Sequence, residues 1–405
     1  MDKVTNEKFE GKLNEEIDII LRKVNNGSYS FTRYRMLLFL KGPAKPPRQV
    51  CVPTVRDKLT LSTLNELLGL VYGSRCRTQM PQVIINDISD NLSNFDSFVK
   101  LDVSSFYASI KHDVLLRRLH SKIKKPEIIS LIQNAIETES LGYPVKEKVK
   151  RKKREVGIPE GLPISNSLAN IYLASLDEKY RADLRVKYYR YVDDILILLN
   201  QEDLQSVKQA IVSDLKRLGL ETNDKNADGG IKQGFEYLGY SLSSGGITVR
   251  NSSVLKVEQS LEELIIKMKK EPPEYTEWKI NLQITGFIYS GNKYGWMFFY
   301  SQISDTSLLF RLDDLVEKLL SRYGLDPIVK RKRFVRTYHE IRQALHTTSY
   351  VPNFDKYTID DKRQVVSRVY KKDFSKADEQ TVEKCFGEII SKEIRDIEKD
   401  IQAFS

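Results

Sequence analysis

The chain has 405 residues, 40% of them hydrophobic, enough for a sizeable core spread over two or three subdomains and too many for a peptide-sized module. Its 65 Lys and Arg against 55 Asp and Glu leave a net charge of +10, a balance that favours a polyanionic partner without by itself demanding one. Cys51, Cys76, Cys385 and the four histidines share no ligand or disulfide spacing, and no stretch has the pattern of a signal peptide or the roughly 20 apolar residues that span a bilayer, so no zinc site, no disulfide framework, no membrane span and a reducing, cytoplasmic setting are expected.

Residues 6–24 place Phe9, Leu13, Ile17, Ile20, Leu21 and Val24 at helical spacing among charges, which predicts an amphipathic helix packed on its own domain and ended by Asn25-Asn26-Gly27. From 31 to 58 Gly and Pro forbid a helix, and Arg48, Arg56 and Lys58 flank a short apolar strand. Leu61, Leu64, Leu67, Leu68 and Leu70 then make one face of a helix over 59–71, whereas 73–94 is mixed and polar.

Residues 98–110 form a second apolar strand carrying a lone acid, Asp102. A buried, unpaired carboxylate is protonated or destabilises the fold by several kcal/mol, so Asp102 is expected to face a cation. Phe106 and Tyr107 follow, equally bulky, and His112 reads as a cap or packing residue. A helix after Pro126 leads to the densest basic run, 146–154, which is a solvated loop or a contact for a nucleic-acid phosphate backbone. Residues 157–166, Gly-Ile-Pro-Glu-Gly-Leu-Pro-Ile-Ser-Asn, enter a helix capped by Ser165 with Leu168, Ile171, Tyr172 and Leu176 on its apolar face.

The next stretch, 188–199, reads Tyr-Tyr-Arg-Tyr-Val-Asp-Asp-Ile-Leu-Ile-Leu-Leu, two strand-like runs meeting at Asp193 and Asp194. An Asp-Asp pair alone makes an ordinary polar turn. With Asp102 on a neighbouring strand it offers the converging hard oxygens that two Mg²⁺ ions roughly 4 Å apart require. Beyond it, 204–218 is helical and 233–249 forms a hairpin around Ser243-Ser244-Gly245-Gly246. A helix over 253–269 is broken by Pro272-Pro273, and 278–300 returns to helix with aromatics. The tail is helical and polar, with a basic knot at 330–333 and an apolar stripe, Val382, Phe386, Ile389, Ile390, Ile394, Ile397 and Ile401, that packs on the rest of the chain or meets another subunit or RNA. There is no internal repeat and no low-complexity segment.

The Asp102 strand, the 157–166 block and Tyr191-Val192-Asp193-Asp194 stand in an order and spacing that resembles reverse transcriptases over residues 48–296, most of all the bacterial retron, group II intron and phage-defence lineages. The resemblance implies a mixed α/β (α+β) right-hand polymerase. It puts an N-terminal helix and fingers in 1–100, a palm with an antiparallel sheet in 95–250 with a fingers insertion at about 120–156, a thumb in 251–323 and a helical C-terminal extension in 324–405. Asp102, Asp193 and Asp194, with the Val103 carbonyl, are then expected to hold two Mg²⁺ ions, with Mn²⁺ as a substitute. By the same resemblance Arg48, Arg56 and Lys58 meet the nucleotide triphosphate, and Tyr107 blocks a 2′-hydroxyl unless it merely packs in the core. Glu160 and Gly161 line the nucleotide pocket, Lys225 assists the leaving pyrophosphate, and Phe235, Tyr237, Leu238 and Gly239 grip the primer.

Two residues depart from the family pattern, Glu160 where Gln is usual and Asn166 where Pro is usual. A carboxylate beside incoming phosphates repels them unless it is protonated or paired, so substrate choice, template use and priming are where this chain is expected to differ. The expected activity is RNA-directed DNA synthesis from deoxynucleoside triphosphates on an RNA template, a cognate noncoding RNA, giving a DNA product in antiphage defence. Its alternatives are a template-independent or protein-primed polymerase of abortive-infection type and an idle RNA-binding protein of polymerase shape. A protein partner or homo-oligomer fits each of them, and no Cys or His cluster marks an appended nuclease.

Overall fold

A computed structural model describes residues 9–40, 47–142, 152–223, 226–399 and 401, in two units: Met1–Gln79 with Phe95–Gly230, and Met80–Asn94 with Ile231–Ser405. The basic run 146–154 lies outside the described residues except for Lys152, Lys153 and Arg154, and Lys225 lies outside them altogether.

In the first unit β1 (Tyr34–Phe39) pairs antiparallel with β2 (Arg48–Val52) and parallel with the two-residue β4 (Ser140–Leu141). The larger sheet has the order β5-β6-β3-β7, all antiparallel, from β3 (Ser97–Asp102), β5 (Val186–Tyr191), β6 (Asp194–Leu199) and β7 (Ala227–Gly230). An apolar run without alternation makes a strand covered on both faces, and Ile195 to Leu199 are accordingly all fully buried. The helix Ser165–Arg181 covers the sheet with Leu168, Ile171, Tyr172 and Leu176, as its periodicity predicts. The helix Val55–Tyr72 buries Leu61, Leu64 and Leu68, but Leu70 is 88% exposed, because 61, 64 and 68 follow the helical repeat and 70 falls across from them. The N-terminal helix, Leu13–Asn25, packs Ile20 and Val24 on this core and leaves Leu13, Ile17 and Leu21 largely open.

The second unit starts with a meander, β8 (Phe235–Tyr237), β9 (Tyr240–Ser243) and β10 (Gly246–Val249), so the predicted hairpin is two hairpins in a row. The first closes on Leu238 and Gly239, both at positive φ, which matches the twist of a two-residue turn. The helix Asn251–Met268 follows as predicted and Pro273 opens the next, Pro273–Thr285. The continuous helix expected up to 300 does not form. Instead β11 (Phe287–Tyr289) and β12 (Asn292–Tyr294) make a hairpin before the short helix Trp296–Phe299. Gly286 and Gly295 account for it: both have positive φ, and their backbones touch, a Cβ on Gly295 falling 2.6 Å from the Gly286 Cα. No side chain fits between them.

Residues Met80–Asn94 belong to this second unit rather than with the other N-terminal residues, and Gln82 Nε2 reaches the Phe298 carbonyl at 3.5 Å. The C-terminal stripe is likewise accounted for inside the unit. On the helix Glu379–Glu398, Val382, Phe386, Ile389, Ile390 and Ile397 share one core with Leu282, Phe287, Phe354, Val365 and Val366. The basic knot is internally engaged as well, Arg331 with Glu317 and Lys332 Nζ with the Tyr350 carbonyl at 2.6 Å. Among the described residues no helix is long and apolar enough to cross a membrane.

Candidate active site

The acidic hairpin has a two-residue turn. Tyr191 pairs with Asp194, so Val192 and Asp193 form the tip and Asp194 begins β6. Val192 sits at φ +57°, a region where a β-branched residue is a genuine outlier, costing about 1–3 kcal/mol unless its surroundings impose it. On the other side of β6, Asp102 is the register partner of Asp194. Directly opposed residues of antiparallel strands project from the same face with Cβ atoms about 4.5–5.5 Å apart. Asp193 adjoins them: its carbonyl accepts from the Val103 N–H at 3.2 Å.

The end of β3 is strapped from its other edge by Glu221, Asn223 and Asn226. Asn223 N–H donates to the Asp102 carbonyl (2.9 Å), Ser104 N–H donates to the Glu221 carbonyl (2.7 Å), and the Asp102 N–H donates to Asn226 Oδ1 (3.2 Å). Three carboxylates and a backbone carbonyl are the donor set a hard divalent ion takes. Among the described residues no three His, Cys, Asp or Glu side chains are already drawn together as a closed metal cage, so what the fold supplies is adjacency of the three acids at one sheet end.

The 157–166 block lies beside that end. Ile158 N–H donates to the Tyr107 carbonyl and Gly157 N–H to the Ile110 carbonyl, each at 2.8 Å, while Cys51 N–H donates to the Glu160 carbonyl at 2.7 Å. Gly161, at φ +95°, is pressed against β2, where a Cβ would lie 2.6 Å from Val50 Cγ1. Phe106 is buried in the core, and Tyr107 is partly buried and packed against that core. Burial pushes the Tyr107 phenol up to about 12, with the charges of Glu160 and Asp193 adding to the effect and Arg48 and Arg190 opposing it. Those charges therefore surround a single ring.

Glu160 is paired. Arg48 Nε donates to its Oε1 at 2.6 Å, with both side chains about a quarter to a third exposed. The cation expected at the triphosphate and the carboxylate expected to repel it neutralise each other. Arg56 is held elsewhere, its Nη2 on Glu16 Oε1 of the N-terminal helix at 2.8 Å, beside a cavity of about 520 Å³ lined by Tyr29, Thr32, Thr54 and Asp57. Lys58 is exposed on the first turns of the helix Val55–Tyr72. In the second unit Phe235, Tyr237, Leu238 and Gly239 are buried, and Glu236 is what β8 presents to solvent.

One group escaped the sequence reading. Arg190 and Asp177, with side chains 5% and 6% exposed, form a two-pronged ion pair directly behind the acidic turn. The available signal was an arginine between tyrosines in a largely buried strand, which needs a buried acid as partner.

An antiparallel sheet whose central strands meet in facing acids, flanked by the glycine-containing 157–166 block, defines a palm-type polymerase fold. Residues 40–242 match the family described as reverse transcriptase (RNA-dependent DNA polymerase), and the chain belongs to that family. Family members use divalent metal ions. Its relatives include the group II intron-encoded protein LtrA of Lactococcus lactis subsp. cremoris, 25% identical over 286 residues, 68% of this chain and 46% of that protein. Another is the uncharacterized 91 kDa protein in cob intron of Schizosaccharomyces pombe, 29% identical over 183 residues, 42% of this chain and 21% of that one. The chain thus spans less than half the length of either relative. Among solved structures, apo telomerase from Candida tropicalis aligns over 93% of this chain and 74% of its own, at 14% identity and a TM-score of 0.49.

Proposed function

We propose that the chain is an RNA-directed DNA polymerase that adds deoxynucleotides to a primer by two-metal phosphoryl transfer. Supporting this reading above all is the register of Asp102 with Asp194, next to Asp193 in the turn, within a chain of this family. Asp102, Asp193, Asp194 and the Val103 carbonyl would hold Mg²⁺, with Mn²⁺ as a substitute. Such ions, when bound, favour ionisation of the primer 3′-hydroxyl and stabilise charge on the departing pyrophosphate. The chain's own contribution is placement: Tyr107 shields the sugar, Gly161 lets the 157–166 block close on β2, and Lys58 and Lys225 supply positive charge for phosphates, with the charge of Arg48 offset by Glu160. Phe235, Tyr237, Leu238 and Gly239 shape the strand and turn proposed to lie against the primer.

The template in this reading is a noncoding RNA encoded with the enzyme, and the setting is cytoplasmic antiphage defence, as the resemblance to bacterial lineages suggests. Purified protein should incorporate labelled deoxynucleotide on a primed RNA only with Mg²⁺ or Mn²⁺, and an Asp193→Asn, Asp194→Asn double variant should lose nearly all of that rate. Equal incorporation by the double variant would refute the assignment. A second reading, template-independent or protein-primed synthesis, draws support from the Arg48–Glu160 pair and from Asn166, whose Nδ2 donates to Thr78 Oγ1 at 3.0 Å, a bond the usual Pro cannot make. Sequencing the products made with and without co-purified RNA separates the two.

A further inference from the structure

The Arg190 guanidinium spends four N–H donors at one spot. Nε and Nη2 donate to the two Asp177 oxygens at 2.7 and 2.6 Å, and Nη1 donates to the Val192 carbonyl at 2.8 Å and to Asn170 Oδ1 at 3.1 Å. Asp177 also accepts from the Tyr188 hydroxyl at 2.9 Å, so the carboxylate is fixed in turn. Asn170 is oriented by its own amide, which donates to Thr78 Oγ1 at 2.9 Å and to the Cys76 carbonyl at 3.3 Å.

The Val192 carbonyl belongs to the peptide that leads into Asp193. The peptide that leaves Asp193 is held by the Val103 N–H. Both peptide planes around Asp193 are therefore pinned, one by Arg190 and the other by the strand that carries Asp102. Val192, at φ +57°, would not keep this conformation unaided.

We infer that Arg190 is a positioning residue, whose buried fork to Asp177 and bond to the Val192 carbonyl hold the strained turn and so keep Asp193 at the sheet end that carries Asp102 and Asp194. The inference rests on the reading of Asp193 as a ligand for divalent ions. Lysine keeps the charge opposite Asp177 but is a point donor on a flexible stem, unable to serve both carboxylate oxygens and the Val192 carbonyl together.

The full-length protein carrying Arg190→Lys is expected to bind Mn²⁺ at least tenfold more weakly, read by titration calorimetry or electron paramagnetic resonance without nucleotide, and to lose kcat in primer extension while the nucleotide KM at saturating metal stays within twofold. Adding Val192→Gly should recover part of the loss, since glycine takes the left-handed conformation freely. Where Arg190→Lys lowers the yield of folded protein, Asn170→Ala removes one of the four Arg190 bonds, together with the Asn170 bonds to Thr78 and Cys76, without stranding a charge and should weaken Mn²⁺ about threefold. Folded Arg190→Lys or Asn170→Ala protein with wild-type Mn²⁺ affinity would overturn the inference. Asp193→Asn is the control: if it loses Mn²⁺ binding and extension while Arg190→Lys keeps both, only the clamp fails, and if it keeps both, the ligand reading fails and the clamp with it.

Discussion

Arg48 and Glu160 illustrate how one substitution changes the electrostatics of a site. Glutamine at 160 still accepts a hydrogen bond from Arg48 but leaves the guanidinium charge uncompensated, so Glu160→Gln is expected to lower the nucleotide KM by roughly three- to tenfold, about 1 kcal/mol for a partly exposed pair. Steady-state kinetics at fixed ionic strength measure it, and an unchanged or higher KM would place Arg48 outside the triphosphate path. Tyr107 makes the complementary prediction. Its phenol, pushed up to about 12, stays protonated and neutral below that pH, so the shielding proposed for the ring is a matter of bulk and not of charge. Tyr107→Phe should therefore preserve discrimination against ribonucleotides across pH 6 to 9, and Tyr107→Ala should relax it at least tenfold in competition assays.

At the scale of elements, the N-terminal helix depends on a charge contact. The bond from Arg56 holds the Glu16 carboxyl below its usual pKa of 4.5, against the opposing effect of burial. A carboxylate whose folded pKa is lowered stabilises the attachment above its unfolded pKa and loses that contribution as pH falls through the folded one. Exchange protection factors in the helix Leu13–Asn25 should thus fall below about pH 4.5 before the sheet opens, and Glu16→Gln should reproduce the loss of protection at pH 7. The acidic hairpin was legible because its signal is local: two apolar runs and a polar break within twelve residues. The Asp177–Arg190 fork was not, because it exists only once the helix Ser165–Arg181 lies against β5. The β11–β12 hairpin was missed although its glycines were in view, since aromatic residues suit helix and strand alike and only the touching Gly286 and Gly295 backbones decide between them.

Across the whole molecule, segments that look separate in sequence share a core. A boundary at 323/324, which the resemblance implies, divides side chains that pack together: Leu282 and Phe287 before it, Phe354, Val365, Phe386 and Ile390 after it. The Lys279–Glu393 ion pair joins the same two stretches, with both side chains under 10% exposed. If the tail were an appendage, removing it would leave the preceding helices intact. The shared core predicts the reverse: Phe386→Ala, at a side chain 1% exposed, should destabilise the second unit by about 3–5 kcal/mol in denaturant titrations. Deleting residues 359–405 should strip exchange protection from the helix Pro273–Thr285 and from β11, while the sheet containing Asp102 and Asp194 keeps its own. Protection retained over 273–289 in that deletion would mean that the stripe on the last helix covers a surface already stable without it, and its partner would then have to be sought on another molecule.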